Sequence, residues 1–311
     1  MDDLTAALRE VLGGSTITSL TRLSGGASRD TFRFEADGRP LIVQRQRGGY
    51  ERDMAVEATA LRLAAAAGVP VAEVVAASTD PSALGASYLV VSAVEGETIA
   101  RKILRDAEFD SARVALPGQF GAALARLHSA DVAGLGDFPA GDPLDTYRAV
   151  LDEVGQPHPA LELAYRWLQQ HRPVSLPVAL VHGDFRLGNV IVGPEGLRAV
   201  IDWELAHLGD PMEDLGWLCV KAWRFGGTLP VAGVGTREQL IAAYQQAGGE
   251  AVDSEVVHWW EVFGTWKWGI ICITQALGHT SGVSRSHELA AIGRRVCENE
   301  HDLFLALEGR W

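Results

Sequence analysis

Asp184, Asn189 and Asp202 place three oxygen-bearing side chains at intervals of five and thirteen residues, inside two short apolar segments. The first segment runs Val181-His182-Gly183-Asp184-Phe185-Arg186-Leu187-Gly188-Asn189 and the second Ile201-Asp202-Trp203-Glu204. Phosphoryl transfer needs such a set. One carboxylate orients and deprotonates an acceptor hydroxyl, while an Asn and a second carboxylate hold magnesium against a triphosphate. Asp184 is therefore the candidate base, and Asn189 and Asp202 are the candidate metal ligands. Standing alone, Asp184 after His-Gly would read as a turn cap; with the other two it reads as part of one site. Arg186, two residues past the base, either reaches the γ-phosphate or is an exposed loop arginine. His182, at the end of an apolar strand, reads as structural. Glu204 stays open between the metal, the acceptor and neither. Downstream, Asp210-Pro211 reads as a helix start, with Asp as cap and Pro in the first helical position. Asp214 then falls near the first turn, where it can brace the 182–189 loop.

A second group lies near the N-terminus. Ser24-Gly25-Gly26-Ala27-Ser28 separates two strand-like segments, and glycines let backbone amides approach phosphate oxygens. The signal is weak alone, because it matches neither G-x-G-x-x-G before a helix nor a P-loop. Arg45 closes the following strand and Glu57 stands twelve residues later in a helix, so the pair can aim a cation at the α- and β-phosphates. The lysine usual for this task is missing: the three lysines are Lys102, Lys221 and Lys267. Arg45 is the best substitute, unless a one-residue shift of the strand turns Gln44 inward.

Elements must hold these groups in place. Thr31–Phe34 and Leu41–Arg45 flank a hairpin turn at 37–40. A helix is predicted over 51–67, ended by Gly68 with Pro70 beyond. Strands follow at 72–78 and 88–94. Beyond the connector the pattern turns helical, at 109–129, 144–154 and 160–170. A β cluster at 178–182, 189–193 and 198–202 contains the acidic set. Helices resume at 212–222, 236–247, 254–277 and 285–308. Parallel βαβ alternation is missing, which argues against a doubly wound sheet. The expected organisation is α+β with two units: residues 1–95, a small antiparallel sheet with one main helix that binds nucleotide, and residues 96–311, mostly helical, with the catalytic loop and acceptor site.

Bulk properties limit the function. The net charge of −13 argues against nucleic acid or an anionic membrane as partner. The acidity is concentrated beyond residue 95, where 18 Lys and Arg face 28 Asp and Glu, and it would suit a cationic acceptor as well as solubility. No apolar run approaches the roughly 18 residues that cross a bilayer, and the acidic N-terminus has no signal-peptide character. Cys219, Cys272 and Cys297 are widely spaced and read as buried free thiols in a reducing cytoplasm. Trp259, Phe263, Trp266 and Ile270 fall on one helical stripe and read as core, while Trp260 and Trp268 lie off it and are candidates for an acceptor pocket. His279, His287 and His301 lack ligand-like spacing, so no zinc site is expected.

With these residues in view, the chain resembles the aminoglycoside phosphotransferase and choline kinase branch of the protein-kinase-like fold. The resemblance runs through the Gly-Gly segment, Glu57, the connector at Ser92–Glu95, Ala125-Arg126-Leu127-His128, His182-Gly183-Asp184, Asn189 and Asp202. The string continuing through Gly209-Asp210-Pro211 to Asp214-Leu215 is most similar to kinase-like domains fused to acyl-CoA dehydrogenases. The resemblance implies a bilobal kinase-like fold and ATP or GTP with Mg2+. It implies Asp184 as the base and Asn189 and Asp202 as metal ligands, and Arg186, by its place two residues past Asp184, is the second candidate catalytic residue. Ser24, Gly25, Gly26, Ser28, Arg45, Glu57, Ser92 and Val94 would lie around the nucleotide. The expected partner is a small molecule with a hydroxyl, with the protein a monomer or homodimer. A hydroxyacyl-CoA acceptor would call for a basic patch, for which Arg224, Arg237, Arg285, Arg294 and Arg295 are available. Two rivals follow from the same residues: a regulatory nucleotide-binding pseudokinase, from the missing lysine, and a metal-dependent hydrolase using His182, Asp184, Asp202 and His207.

Overall fold

Apolar and polar side chains alternate between Thr31 and Gln44, so a sheet built from this stretch has two faces of different character. The computed structural model describes residues 2–23, 29–47 and 54–310. Strands β1 (Ile17–Arg22), β2 (Arg29–Ala36), β3 (Arg39–Gln46), β4 (Val74–Ser78) and β5 (Tyr88–Ser92) form one antiparallel sheet in the order β1-β2-β3-β5-β4. Asp37 and Gly38 turn β2 into β3 with φ of 51° and 81°, the double positive-φ geometry that suits a tight hairpin. On one face Phe32, Phe34, Leu41, Val43, Tyr88 and Val90 pack against Leu4 and Leu8 of α1 (Asp2–Val11). On the other, Leu89 packs with Met54, Ala58 and Leu61 of α2 (Met54–Ala66), in a core continuous with the helical part. Glu51 to Asp53, where that helix was expected to begin, lie outside the described residues.

Beyond the sheet come α3 (Ala100–Arg105), α4 (Asp110–His128), α5 (Pro143–Val154) and α6 (Pro159–Gln170). Next are β6 (Ala179–Val181), the hairpin of β7 (Val190–Gly193) and β8 (Gly196–Val200), and β9 (His207–Gly209), which pairs with β6. Helices α7 (Met212–Cys219), α8 (Arg237–Gln246), α9 (Ser254–Thr280), α10 (His287–Gly293) and α11 (Val296–Leu307) complete the chain. The expected α+β architecture is present, with a small antiparallel sheet beside a larger helical part. Three elements were not anticipated: α3 and β9, which are too short to show a period, and α1, although its Leu4, Leu8 and Val11 stand at helical spacing. The helix expected over 285–308 is two helices, and Gly293 at the break packs so closely that a Cβ there would lie 2.4 Å from Ala276 Cβ.

The aromatic stripe is core, as expected. Trp259, Phe263, Trp266 and Ile270 are buried, and the indoles of Trp259 and Trp266 donate to the carbonyls of Leu168 and Leu161, each at 3.0 Å. Burying an apolar side chain of this size contributes about 1.5–3 kcal/mol. Trp260 corrects its expectation, because it too is buried, packed against Gly216. Cys219 and Cys272 are buried free thiols, whereas Cys297 is exposed. Among the described residues no helix is long and apolar enough to cross a membrane.

The connector from the sheet is tied to the hairpin beneath it. Glu97 and Val192 exchange backbone hydrogen bonds of 2.9 and 3.0 Å. Gly96 precedes this contact at φ 150°, where a Cβ would lie 2.6 Å from Ile191 Cγ2, so the approach requires glycine.

Candidate active site

The thirteen residues between Asn189 and Asp202 are the length of a hairpin. Asn189 leads into β7 and Asp202 follows β8; Val190 pairs with Val200, and Ile201 N–H donates to the Asn189 carbonyl at 3.0 Å. Two oxygen-bearing side chains distant in sequence thus become neighbours. Asp202 itself turns the chain at φ 66°, the left-handed region that Asp tolerates better than most residues.

Asp184 is positioned from the opposite side. Strand β6 is fully buried and is followed by His182-Gly183. Gly183 has φ 77°, and a Cβ there would lie 2.5 Å from the Leu205 carbonyl oxygen, so neither the dihedral nor the space admits another residue. From α7, Asp214 accepts the N–H groups of His182 and Gly183 at 2.8 and 2.9 Å, bracing the loop as its place in the sequence suggested. His128 of α4 supports Asp214 at 3.3 Å. His182 is a structural residue: Asp184 N–H donates to its Nδ1 at 3.2 Å, so its Nε2 carries hydrogen toward the Ile201 carbonyl at 3.1 Å. Burial lowers its pKa, consistent with a neutral ring.

Two further residues hold the loop that sequence reasoning missed. Lys267 of α9, buried, donates to the Gly183 carbonyl and to Glu213, both at 2.9 Å. Its ammonium also lies 4.6 Å from the ring centroid of Trp217. Trp217 in turn donates its indole N–H to Asp184 Oδ1 at 2.7 Å. Trp217 had a signal: it stands three residues after Asp214 on α7 and so faces the same loop. Lys267 had none, since nothing in an aromatic-rich helix marks one lysine as a loop anchor.

The Asp184 carboxylate gathers three donors: Trp217, the Arg186 Nε at 3.0 and 3.2 Å, and the Asn189 amide nitrogen at 2.5 Å. The amide nitrogen of Asn189 thus faces Asp184, which directs its oxygen elsewhere. Arg186 also lies over Trp223, 4.8 Å from the ring centroid. Asp202 sits among carboxylates, enclosed by neighbouring chain although its side chain keeps 38% of its surface open: that enclosure, then the charge of Glu204, with Asp184 and Glu57 adding, raises its pKa against the pull of Arg29. A divalent cation would relieve that crowding. One carboxylate and one amide oxygen suit magnesium, which takes few protein ligands and completes its shell with water and phosphate.

On the sheet side the structure corrects the expected ion pair. The partner of Glu57 is Arg29 at the start of β2, which donates to Glu57 Oε2 at 2.8 Å and makes a second bond to Oε1. Arg29 also donates to Gln44 at 3.1 Å and to Glu204 at 2.9 Å, and lies 3.9 Å from Asp202. Burial works against its charge; Glu57, Asp202 and Glu204 outweigh that and raise its pKa. Arg45 is on the other face of β3. Its guanidinium lies 5.5 Å from the Phe32 ring centroid and donates to the Leu84 carbonyl at 3.0 Å. The strand alternation is responsible, because Arg45 shares the face of Val43 while Gln44 shares that of Arg29. Ser92, at the end of β5, accepts from the Glu73 N–H at 2.9 Å, and Val94 lies partly buried just beyond. Ser24, Gly25, Gly26 and Ser28 lie outside the described residues.

Beside Asp184 opens a cavity of about 310 Å³. Tyr147, Leu205, Trp217, Trp223, Trp268 and Ile271 line one part of its wall, and Asp184, Arg186, Asp202, Glu204, Thr274 and Gln275 the other. Trp268 therefore lines a pocket as expected. Arg224 and Arg237, two arginines considered for a basic patch, both pair with the buried Glu261, at 2.8 and 2.7 Å.

Residues 19–259, over three quarters of the chain, match the phosphotransferase enzyme family, APH. The chain belongs to the APH family. Curated relatives include mouse acyl-CoA dehydrogenase family member 10, 30% identical over 74% of this chain and 23% of its own length. Chicken acyl-CoA dehydrogenase family member 11 is 29% identical over 64% of this chain and 27% of its own. The chain thus spans about a quarter of the length of these two relatives. Among solved structures, a putative aminoglycoside phosphotransferase from Ralstonia eutropha superposes with a TM-score of 0.75 at 22% identity, covering 99% of this chain and 98% of the other. A spectinomycin phosphotransferase bound to ADP and spectinomycin gives 0.68 at 14% identity, covering 98% of each. The fold is the kinase-like α+β fold of these APH phosphotransferases.

In this APH-family chain the tight packing of Gly183 makes one substitution informative. Gly183→Ala is expected to cost at least about 2 kcal/mol, from a left-handed non-glycine and a clash with backbone that cannot swing away. Thermal unfolding checks this, and a wild-type melting temperature would contradict it.

Proposed function

We propose that the protein transfers the γ-phosphate of Mg-ATP or Mg-GTP to a hydroxyl of a small molecule. One observation carries the reading. Asp184 stands at an aromatic cavity and is hydrogen-bonded to Asn189, which the β7–β8 hairpin sets beside Asp202. In this reading Asp184 orients the acceptor hydroxyl and takes its proton, and Arg186 faces the transferred group. Asn189 and Asp202 hold magnesium, which when bound neutralises charge on the phosphates. The nucleotide lies along the sheet unit, residues 1–95, against the glycine segment at 24–28, Glu57 and the connector at Ser92–Val94. The acceptor enters from the helical unit, residues 96–311. The buried free thiols Cys219 and Cys272 fit a cytoplasmic protein.

The wall of the cavity sets three carboxylates, Asp184, Asp202 and Glu204, beside the indoles of Trp217, Trp223 and Trp268. That mixture supports a hydroxyl-bearing acceptor of the aminoglycoside, amino alcohol or hydroxyacyl-CoA type, with the acidic side suited to a cationic group on it. The test is a phosphate-transfer screen with ATP and GTP across aminoglycosides, choline, other amino alcohols, sugars and hydroxyacyl-CoAs. Magnesium-dependent transfer to at least one of these hydroxyl-bearing acceptors is the expected result. Nucleotide binding with neither transfer nor slow hydrolysis would support the pseudokinase reading instead.

A further inference from the structure

We infer that Arg29, on β2, is the cation that contacts the nucleotide phosphates, replacing a cation on β3. The inference rests on the phosphotransferase reading and adds a binding residue to it. Residues 1–95 contain no lysine. The β3 side chain bonded to Arg29 is Gln44, and the neighbouring Arg45 is held on the opposite face by Leu84 and Phe32. Arg29 occupies the space that this arrangement leaves for a charge. Its side chain is 7% exposed, and its guanidinium is fixed by donating two bonds to Glu57 and one to Gln44. The same group reaches across 175 residues of sequence to Glu204 at 2.9 Å and approaches Asp202 to 3.9 Å.

Position and chemistry agree. A triphosphate whose metal rests on Asp202 must bring its oxygens close to this guanidinium. Arginine offers a planar fork of donors suited to phosphate oxygens, and its charge persists at any working pH. Glu57 and Gln44 orient the fork. Glu204 engages one of its N–H groups, which a phosphate oxygen would take over, leaving Glu204 to turn toward the acceptor cavity that it lines.

The test moves the charge back to β3. Dissociation constants for Mg-ATP and for adenosine are measured by calorimetry on wild type, Arg29→Gln and the double variant Arg29→Gln/Gln44→Lys, with thermal unfolding to confirm folding. Arg29→Gln should weaken Mg-ATP binding about 10- to 100-fold, the range for losing a charge-assisted hydrogen bond, and leave adenosine binding unchanged. The double variant should regain most of the loss, because a lysine at position 44 stands on the same face within reach of Glu57. Equal losses for Mg-ATP and adenosine would overturn the inference, as would a folded double variant that binds no better than Arg29→Gln. If wild type bound Mg-ATP and Arg29→Gln bound it equally well, only this inference would fall. A wild type that bound no nucleotide would overturn the phosphotransferase reading with it.

Discussion

Asp184→Asn is expected to lower turnover about 10²- to 10⁴-fold, the usual contribution of a positioned general base, while the Mg-nucleotide dissociation constant stays within about threefold of wild type. The substitution keeps the size of the side chain and an oxygen for the Trp217 indole, 2.7 Å away in the wild type. It removes the group that accepts the proton of the hydroxyl. A thousandfold loss corresponds to about 4 kcal/mol on the barrier. Steady-state kinetics with an acceptor from the screen, paired with nucleotide titration, separates the two effects. Turnover within tenfold of wild type would remove Asp184 from the role of base. The neighbours of Asp184 make the expectation specific: Arg186, Asn189 and Trp217 all converge on this one carboxylate.

Lys267→Met is expected to cost about 3–5 kcal/mol, because it strands the buried Glu213 carboxylate without its principal cation. In a chain of this size the melting temperature should fall on the order of 10 °C. Burial alone would raise the Glu213 pKa, but Lys267 and His207 hold it at about 2. A carboxyl depressed on folding stabilises the native state fully above its unfolded value, near 4.5, and that contribution is lost as pH falls toward 2. From 4.5 to 2 it amounts to about 3 kcal/mol. The gap between variant and wild type should therefore be widest near neutral pH and narrow below about pH 4.5. The double variant Lys267→Met/Glu213→Leu should be less destabilised than Lys267→Met, since removing both charges leaves no stranded ion. A single variant that melts within 2 °C of wild type at pH 7 would show that the pair adds nothing. Loss of the Lys267 bond to the Gly183 carbonyl should also slow turnover more than it weakens nucleotide binding, because that bond fixes the loop carrying Asp184.

The comparison of sequence and structure divides by the range of the interaction. Asp184, Asn189 and Asp202 were legible as neighbours because their spacing is local: a strand end, a loop and a hairpin bring them together at short, fixed intervals. Asp214 was legible for the same reason, as a first-turn residue facing the loop before it. The long helices and the aromatic stripe of α9 followed from 3.6-residue periodicity. The cation near Glu57 did not follow. A strand has a period of two, so a one-residue difference exchanges its faces. Arg45 and Gln44 differ by that one residue, and the pairing of β3 with β2 and β5 decides between them.

The sequence by itself determined the α+β class, the residue types and spacing of the acidic set and the bracing place of Asp214. Each depends on residue type or on spacing within one or two elements. Only the tertiary structure decided which cation meets Glu57, which base of support Asp184 rests on and which tryptophans face the cavity. Those contacts join residues far apart in the chain, Arg29 to Glu204 and Lys267 to Gly183, and depend on how helices and strands pack in space.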